Sequence, residues 1–301
     1  MATGRDRTDV HGKVIVITGA SAGIGAAAAR RLAHAGAVVV PVGRSPERTR
    51  AMAAELGTEP VIADFAHLDQ VRAAAQTLLD RYPRIDVLAN NAGGIVPRRV
   101  LTQDGNELTF QVNHLAGFLL TNLLLDRLRA SAQGRQVRVI STSSFGNRFA
   151  RVRLDDLQWR RRRYGNGWIP YCATKLMNIM FTTELARRTD GTGIVAVCFH
   201  PDPGKNAEPV AAGTRDALPT NFGRETAMMQ RYHRVPVLRD RQLSGARGCQ
   251  PLVWLASTPQ VLNGWYYNGF EPSRSFNKQG KDPDLAERLW SRSLELVAPY
   301  L

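Results

Sequence analysis

Six short apolar runs punctuate the chain as far as residue 199: "KVIVIT" (13–18), "AVVVPV" (37–42), "PVIA" (60–63), "IDVLA" (85–89), "QVRVIS" (136–141) and "GIVAVCF" (193–199). They are rich in β-branched residues and apolar throughout instead of alternating, which predicts strands buried on both faces. Longer stretches with helical spacing separate them. One spans 24–36 and ends at Gly36. A second is opened by Ser45 as N-cap with Pro46 at the first helical position. Others lie near 68–81, 105–129 and 169–188. Strand–helix alternation of this kind predicts a doubly wound α/β fold, a central and mostly parallel sheet with helices on both faces. Beyond residue 200 the pattern changes. Residues 202–243 are rich in Pro, Gly, Arg and Met without a clear period. They read as a substrate-side insertion, a lid over the carboxyl ends of the strands, with Phe222, Met228, Met229 and Tyr232 as apolar contacts. A helix near 244–256, the aromatic "GWYYNGF" and a last amphipathic helix near 283–297 close a chain read as one domain over 1–301.

Chemistry enters at the first strand–helix turn. "ITGASAGIGAAAAR" places Gly19, Gly23 and Gly25 between strand and helix, where glycines permit a tight turn and let backbone approach a pyrophosphate. This context points to a dinucleotide-binding Rossmann fold. The second strand ends in "VGRSPER", with Gly43 and Arg44 and no acidic residue. A guanidinium there suits a phosphate monoester, so NADP(H) is expected in preference to NAD(H). Tyr171 and Lys175 share a helix face at i and i+4. Lowering a phenol by three units takes about 4 kcal/mol. A cation about 4 Å away at an effective dielectric near 20 supplies an energy of that size. The pair follows "RVISTSSFG", a strand ending in hydroxyls that can hold a carbonyl oxygen.

In order along the chain, "TGASAGIG" (18–25), "NNAG" (90–93), Asn113 in "FQVNHLAGF", "SS" (143–144) and "YCATK" (171–175) resemble the short-chain dehydrogenase/reductase family. "LMNIMFTTELARR" and "LAERLWSRSLELV" resemble its branch of retinol dehydrogenases and protochlorophyllide reductase-like enzymes. The resemblance runs from about residue 11 to 298 and is weakest over 202–243. It implies that Gly19, Ser21, Ala22, Gly23, Ile24 and Gly25 surround the pyrophosphate and that Arg44 holds a 2′-phosphate. Asp64 and Phe65 would meet the adenine, and Asn91, Ala92 and Gly93 would line the adenosine side. Tyr171 would be the general acid or base, Lys175 would bind the nicotinamide ribose and lower the tyrosine pKa, and Asn113 would hold a relay water. Ser144 is the implied carbonyl-orienting serine, with Ser143 the alternative. The implied activity is NADP(H)-dependent interconversion of a carbonyl and an alcohol. Reduction of a conjugated C=C or C=N bond, or a non-catalytic NADP(H)-binding scaffold, stays open. The family commonly assembles as dimers or tetramers, so the resemblance also implies an oligomer.

The chain departs from the family after the sixth strand, in "HPDPGKNAEPV". Pro201 fits, but Asp202 stands where glycine is expected, and Lys205 or Asn206 where a threonine would hold the nicotinamide end. Pro203-Gly204 could take the role by a two-residue shift. The stretch between Ser144 and Tyr171 is also long, and it carries the run Arg160–Arg163.

Composition adds less. A hydrophobic share of 44% and a charged share of 22% are those of a globular protein. Forty Lys plus Arg against 26 Asp plus Glu give +14, mostly from arginine, which favours acidic partners. Trp159, Tyr164 and Trp168 are interleaved with the arginines, yet no helix-turn-helix, RNA-binding or OB signature accompanies them, and a nucleic-acid partner is not expected. The arginines read as the rim of an active site, either solvated or facing an anionic or carrier-bound small-molecule substrate. Cys172, Cys198 and Cys249 show no pairing pattern, and no metal-ligand spacing is present. With a polar beginning and no long apolar span, a cytoplasmic protein free of membrane is expected.

Overall fold

The computed structural model describes residues 10–210, 244–274 and 276–301. Eight strands form one sheet in the order β3-β2-β1-β4-β5-β6-β7-β8. They are β1 (Val14–Thr18), β2 (Val38–Gly43), β3 (Val61–Ile62), β4 (Val87–Asn90), β5 (Val137–Thr142), β6 (Ile194–His200), β7 (Trp265–Asn268) and β8 (Glu271–Ser273). All neighbours pair in parallel except β7 with β8. Strand order reverses between β1 and β4, the switch point where open α/β sheets bind ligands.

Alternation within each strand feeds two cores. Val16, Leu88 and Val139 face one side, and Ile15, Ile17 and Ile140 the other. The first side is covered by α3 (Leu68–Arg81), α5 (Ala116–Leu123), α6 (Leu125–Ser131), α7 (Trp168–Arg188) and α10 (Pro283–Val297), the second by α1 (Gly23–His34), α2 (Pro46–Leu56), α8 (Gly245–Gly248) and α9 (Gln250–Ser257). The doubly wound arrangement expected from the sequence is the one observed. Ser45 caps α2 by accepting the Arg48 N–H.

Three elements differ from expectation. The helix expected over 105–129 is interrupted: α4 (Leu108–Phe110) leads into a π-helical turn, Gln111–Leu115, before α5 and α6. Side chains of that turn reach outward, Gln111 to the Phe65 carbonyl and Asn113 to the Gly94 backbone. The helix expected over 244–256 breaks at Cys249, because Pro251 suits a first turn and not a helix interior. The edge strand β8, which contains Pro272, gave no strand signal. Most of the expected lid, including Phe222, Met228, Met229 and Tyr232, lies outside the described residues. Among the described residues no single helix is long and apolar enough to cross a membrane.

Candidate active site

The β1–α1 turn leaves its helix end open. Ala22, the N-cap of α1, provides no side-chain cap, and the first turn holds no acidic residue. Its N–H groups and the helix dipole therefore favour an anion. Gly25 must lack a side chain, since a Cβ there would stand 2.7 Å from Asn91 Nδ2 and press on the Gly19 carbonyl. Asn91 in turn donates to the Thr18 carbonyl at 2.9 Å and accepts from Thr142 Oγ1 at 3.3 Å, joining the ends of β1 and β5. Thr18 Oγ1 accepts the N–H groups of Asn91 and Ala92, both at 2.9 Å, and so fixes the approach to Gly93.

Beside this turn Arg44 stands exposed at the end of β2, with no ion pair among the described residues. A Cβ on Gly43 would meet Thr49 Oγ1 at 2.5 Å and Ser21 Oγ at 3.1 Å. Thr49 Oγ1 is itself buried without a hydrogen-bond partner. An uncapped helix end, a free guanidinium and two hydroxyls around a glycine fit a phosphorylated dinucleotide. Asp64 is half-buried; its carboxylate accepts the Ala66 N–H at 3.0 Å, closing a local turn. The N-cap position of α3 belongs to His67. The ring of Phe65, 6% exposed, belongs to the core, so an adenine contact from this residue falls to its backbone.

Across the switch point the two serines part company. Ser143, 1% exposed, donates to the Lys175 carbonyl at 2.7 Å and is consumed by the fold. Ser144 caps the 3₁₀ turn Phe145–Phe149, accepting the Gly146 N–H at 3.2 Å, and its hydroxyl is close enough to the Tyr171 phenol to act on it. Tyr171 is buried in the first turn of α7, stacked on Trp168 with centroids 5.6 Å apart. Lys175, one turn on, is 3% exposed and donates from Nζ to the Thr142 carbonyl at 3.0 Å. Asn113 Oδ1 accepts the Gly94 N–H at 2.8 Å, while its Nδ2 donates to the Gly94 carbonyl and to Thr174 Oγ1. The expected Asn113 and Lys175 meet at Gly93, where a Cβ would stand 3.0 Å from Asn113 Oδ1 and 3.3 Å from Lys175 Nζ, and Tyr171 lies under Lys175 with Ser144 acting on its phenol.

Burial pushes the Tyr171 phenol above its ordinary value, and the neighbouring Ser144 hydroxyl pulls the other way. Lys175 lies over the ring face, 5.5 Å from its centroid, with an N–H committed to Thr142. Burial lowers Lys175 itself to about 8.

Residues 13–152 match the family model for short chain dehydrogenases. A Streptomyces sp. (strain C5) protein provisionally named a daunorubicin C-13 ketoreductase is 42% identical over 95% of this chain and 93% of its own. The chain belongs to the short-chain dehydrogenase/reductase family. It is an oxidoreductase of the retinol dehydrogenase-like branch: human retinol dehydrogenase 13 is 32% identical over 97% of this chain and 86% of its own. Among solved structures, an uncharacterised protein from Mycobacterium paratuberculosis superposes with a TM-score of 0.73 at 31% identity, covering 97% of this chain and 96% of that one. A 3-ketoacyl-(acyl-carrier-protein) reductase from Brucella melitensis, complexed with NADH, gives 0.64 at 25%, covering 87% and 98%. A Burkholderia cenocepacia family member in complex with NADP gives 0.62 at 25%, covering 86% and 97%.

Where the chain departs from its family's motif, the departure is built into the fold. Pro201 is buried, and Asp202 turns its carboxylate to the Gly204 N–H at 3.0 Å and to Arg247 at 3.6 Å. Arg247 also donates to the Gly204 carbonyl, so α8 clamps the turn after β6.

The arginine run divides. Arg162 folds inward, its guanidinium 3.7 Å from the Trp159 ring centre and bonded to the Asp156 carboxylate at 3.1 Å and the Arg151 carbonyl at 2.9 Å. Arg160, Arg161 and Arg163 stay exposed. Trp159 is buried, Tyr164 donates to Glu107 at 2.6 Å, and Trp168 lies on Tyr171. None of these rings is left as a platform for a base. Sequence reasoning also missed Thr18, Thr142 and Asn178. Hydroxyls and amides beside strand ends recur in any such fold, and nothing in the sequence marks these three.

Proposed function

We propose that this protein is an NADP(H)-dependent reductase that interconverts a carbonyl and an alcohol on a small organic substrate. The observation that carries the reading is the placing of Tyr171 under Lys175, with the Lys175 ammonium beside Gly93 and the uncapped glycine turn at the other strand end of the sheet's switch point. The names and bound cofactors of the relatives, ketoreductases and an NADP complex among them, support it. Gly19, Ser21, Ala22, Gly23, Ile24 and Gly25 would hold a dinucleotide, which when bound would supply or accept the hydride. Exposed Arg44, with Ser21 and Thr49 beside it, selects the form bearing a 2′-phosphate.

The chain's own residues handle the oxygen and the proton. Ser144 orients the substrate oxygen toward the Tyr171 hydroxyl. Tyr171 gives its proton to that oxygen in reduction and takes it back in oxidation. Burial keeps the phenol protonated, which suits the acid role, and the buried Lys175 ammonium offers its remaining N–H groups to steady the phenolate that results. Fluorescence titration with NADPH and NADH, followed by a carbonyl panel, tests the reading. Tighter binding of NADPH and its oxidation by at least one ketone are expected; binding of neither dinucleotide would overturn it.

A further inference from the structure

Behind the reaction cluster lies a chain of polar groups that the mechanism above leaves unused. Asn178, one turn beyond Lys175 on α7, donates from Nδ2 to two carbonyls, Asn113 in the π-helical turn and Thr142 at the end of β5, each at 3.1 Å. The Thr142 carbonyl is the same one that accepts Lys175 Nζ at 3.0 Å, so both its lone pairs are filled. Carbonyls only accept, which fixes the direction of the Asn178 amide and turns its Oδ1 to His114 Nδ1, 3.3 Å away. An amide oxygen needs a donor, so the His114 proton sits on Nδ1. Nε2 must then accept, and its partner at 3.1 Å is the hydroxyl of Ser293 on α10. His114 and Ser293 are buried, with the rings of Phe110, Phe118 and Phe181 around the imidazole.

We propose that Asn178 is a positioning residue of the reaction, holding the Lys175 ammonium and the Asn113 turn in register through the Thr142 and Asn113 carbonyls, with its own orientation set by the Nδ1–H imidazole of His114 and the hydroxyl of Ser293. The inference rests on the carbonyl-reductase reading for its kinetic consequence but not for its geometry. One N–H of Lys175 is pinned because its acceptor is pinned. The other two keep a constant direction toward Tyr171 and the Gly93 backbone. Losing the Asn178 donors lets the Thr142 carbonyl and the ammonium shift together, which should disturb proton transfer more than dinucleotide binding. The phosphate contacts lie on β1, α1 and β2, away from this chain.

The test uses the full-length protein in two arms. The first reads ring protonation by two-bond proton–nitrogen NMR of the histidines near neutral pH, with His114 assigned by its loss in His114→Gln. A proton on Nδ1 alone is expected, and a proton on Nε2 overturns the proposal whether or not any substrate turns over. The second follows NADPH oxidation with phenanthrenequinone as the probe. His114→Leu and Asn178→Leu should lower kcat by about 10- to 100-fold with the Kd for NADPH within about threefold. His114→Gln, which can donate to Asn178 and accept from Ser293, should restore most of kcat. Ser293→Ala should cost about threefold alone and nothing further in the Asn178→Leu background, since residues acting through one another are not additive. Full kcat in both leucine variants, or multiplying effects in the double variant, overturns the proposal. If Asn178→Leu does not fold, the His114→Leu and His114→Gln pair decides alone. Failure of the wild type to oxidise NADPH counts against the carbonyl-reductase reading and leaves the NMR arm to decide this one.

Discussion

The Ser144 hydroxyl, just past the end of β5, acts on the Tyr171 phenol in the first turn of α7 and draws its pKa down, although a long, arginine-rich stretch separates the two in the chain. The stretch can be long because it is tied down elsewhere. Its Asp156 carboxylate is buried and receives the N–H groups of Arg160 and Arg161 and the guanidinium of Arg162.

That anchor predicts a contrast within the arginine run. Arg162→Ala should destabilise the protein by about 1–3 kcal/mol, because it leaves the buried Asp156 carboxylate with backbone N–H donors but no countercharge and strips the face of Trp159. Arg161→Ala should change stability by less than about 0.5 kcal/mol. Thermal or urea unfolding of the two variants checks the contrast.

The same pair sets a pH dependence. Burial alone would raise Asp156, but the hydrogen bonds from Arg160, Arg162 and Arg161 outweigh it, and its pKa falls below the ordinary carboxylate value. A depressed folded pKa gives stability that is full above the unfolded carboxylate value and is lost as pH falls through the folded one. Wild-type stability should therefore drop on acidification, and Asp156→Asn should be less stable at neutral pH with a flatter acid limb. Urea midpoints across the acid range measure this.

Arg44→Ala should weaken NADPH by about 10- to 100-fold, the worth of a charge-assisted contact, and leave NADH nearly unchanged. Paired fluorescence titrations of wild type and variant read the difference directly. Equal losses for both cofactors would remove Arg44 from the selection of the phosphate.

Gly25→Ala brings a methyl against the Gly19 carbonyl and within 2.7 Å of Asn91 Nδ2. Both are fixed by the strand ends, so the clash is not relieved by a side-chain turn. A stability loss of about 1–3 kcal/mol is expected, together with loss of NADPH binding. Calorimetry and titration of one preparation would show both.

Much of this was legible in the sequence where periodicity acts alone. α3 and α10 occupy the ranges that their apolar spacing predicts, 68–81 and 283–297. The preference for Ser144 over Ser143 comes from the resemblance to the family and not from spacing, since both serines lie past the end of β5 at Thr142. What was not legible depends on partners far away in the chain. The π-helical turn forms around Asn113, whose amide is drawn to Gly94 by a loop the helix pattern cannot see. Arg162 reads like its three neighbours until Asp156 and Trp159 are placed around it. Nor does the sequence show that the Thr142 carbonyl takes one N–H of the Lys175 ammonium.

The central claim is that Tyr171 moves the proton to a reduced carbonyl. NADPH oxidation by wild type and by Tyr171→Phe with the same ketone tests it most directly, since phenylalanine fills the buried ring site and removes only the hydroxyl. The account predicts a loss of about 10²- to 10⁴-fold in kcat/KM with NADPH binding and folding retained. Turnover of the phenylalanine variant at the wild-type rate would contradict it.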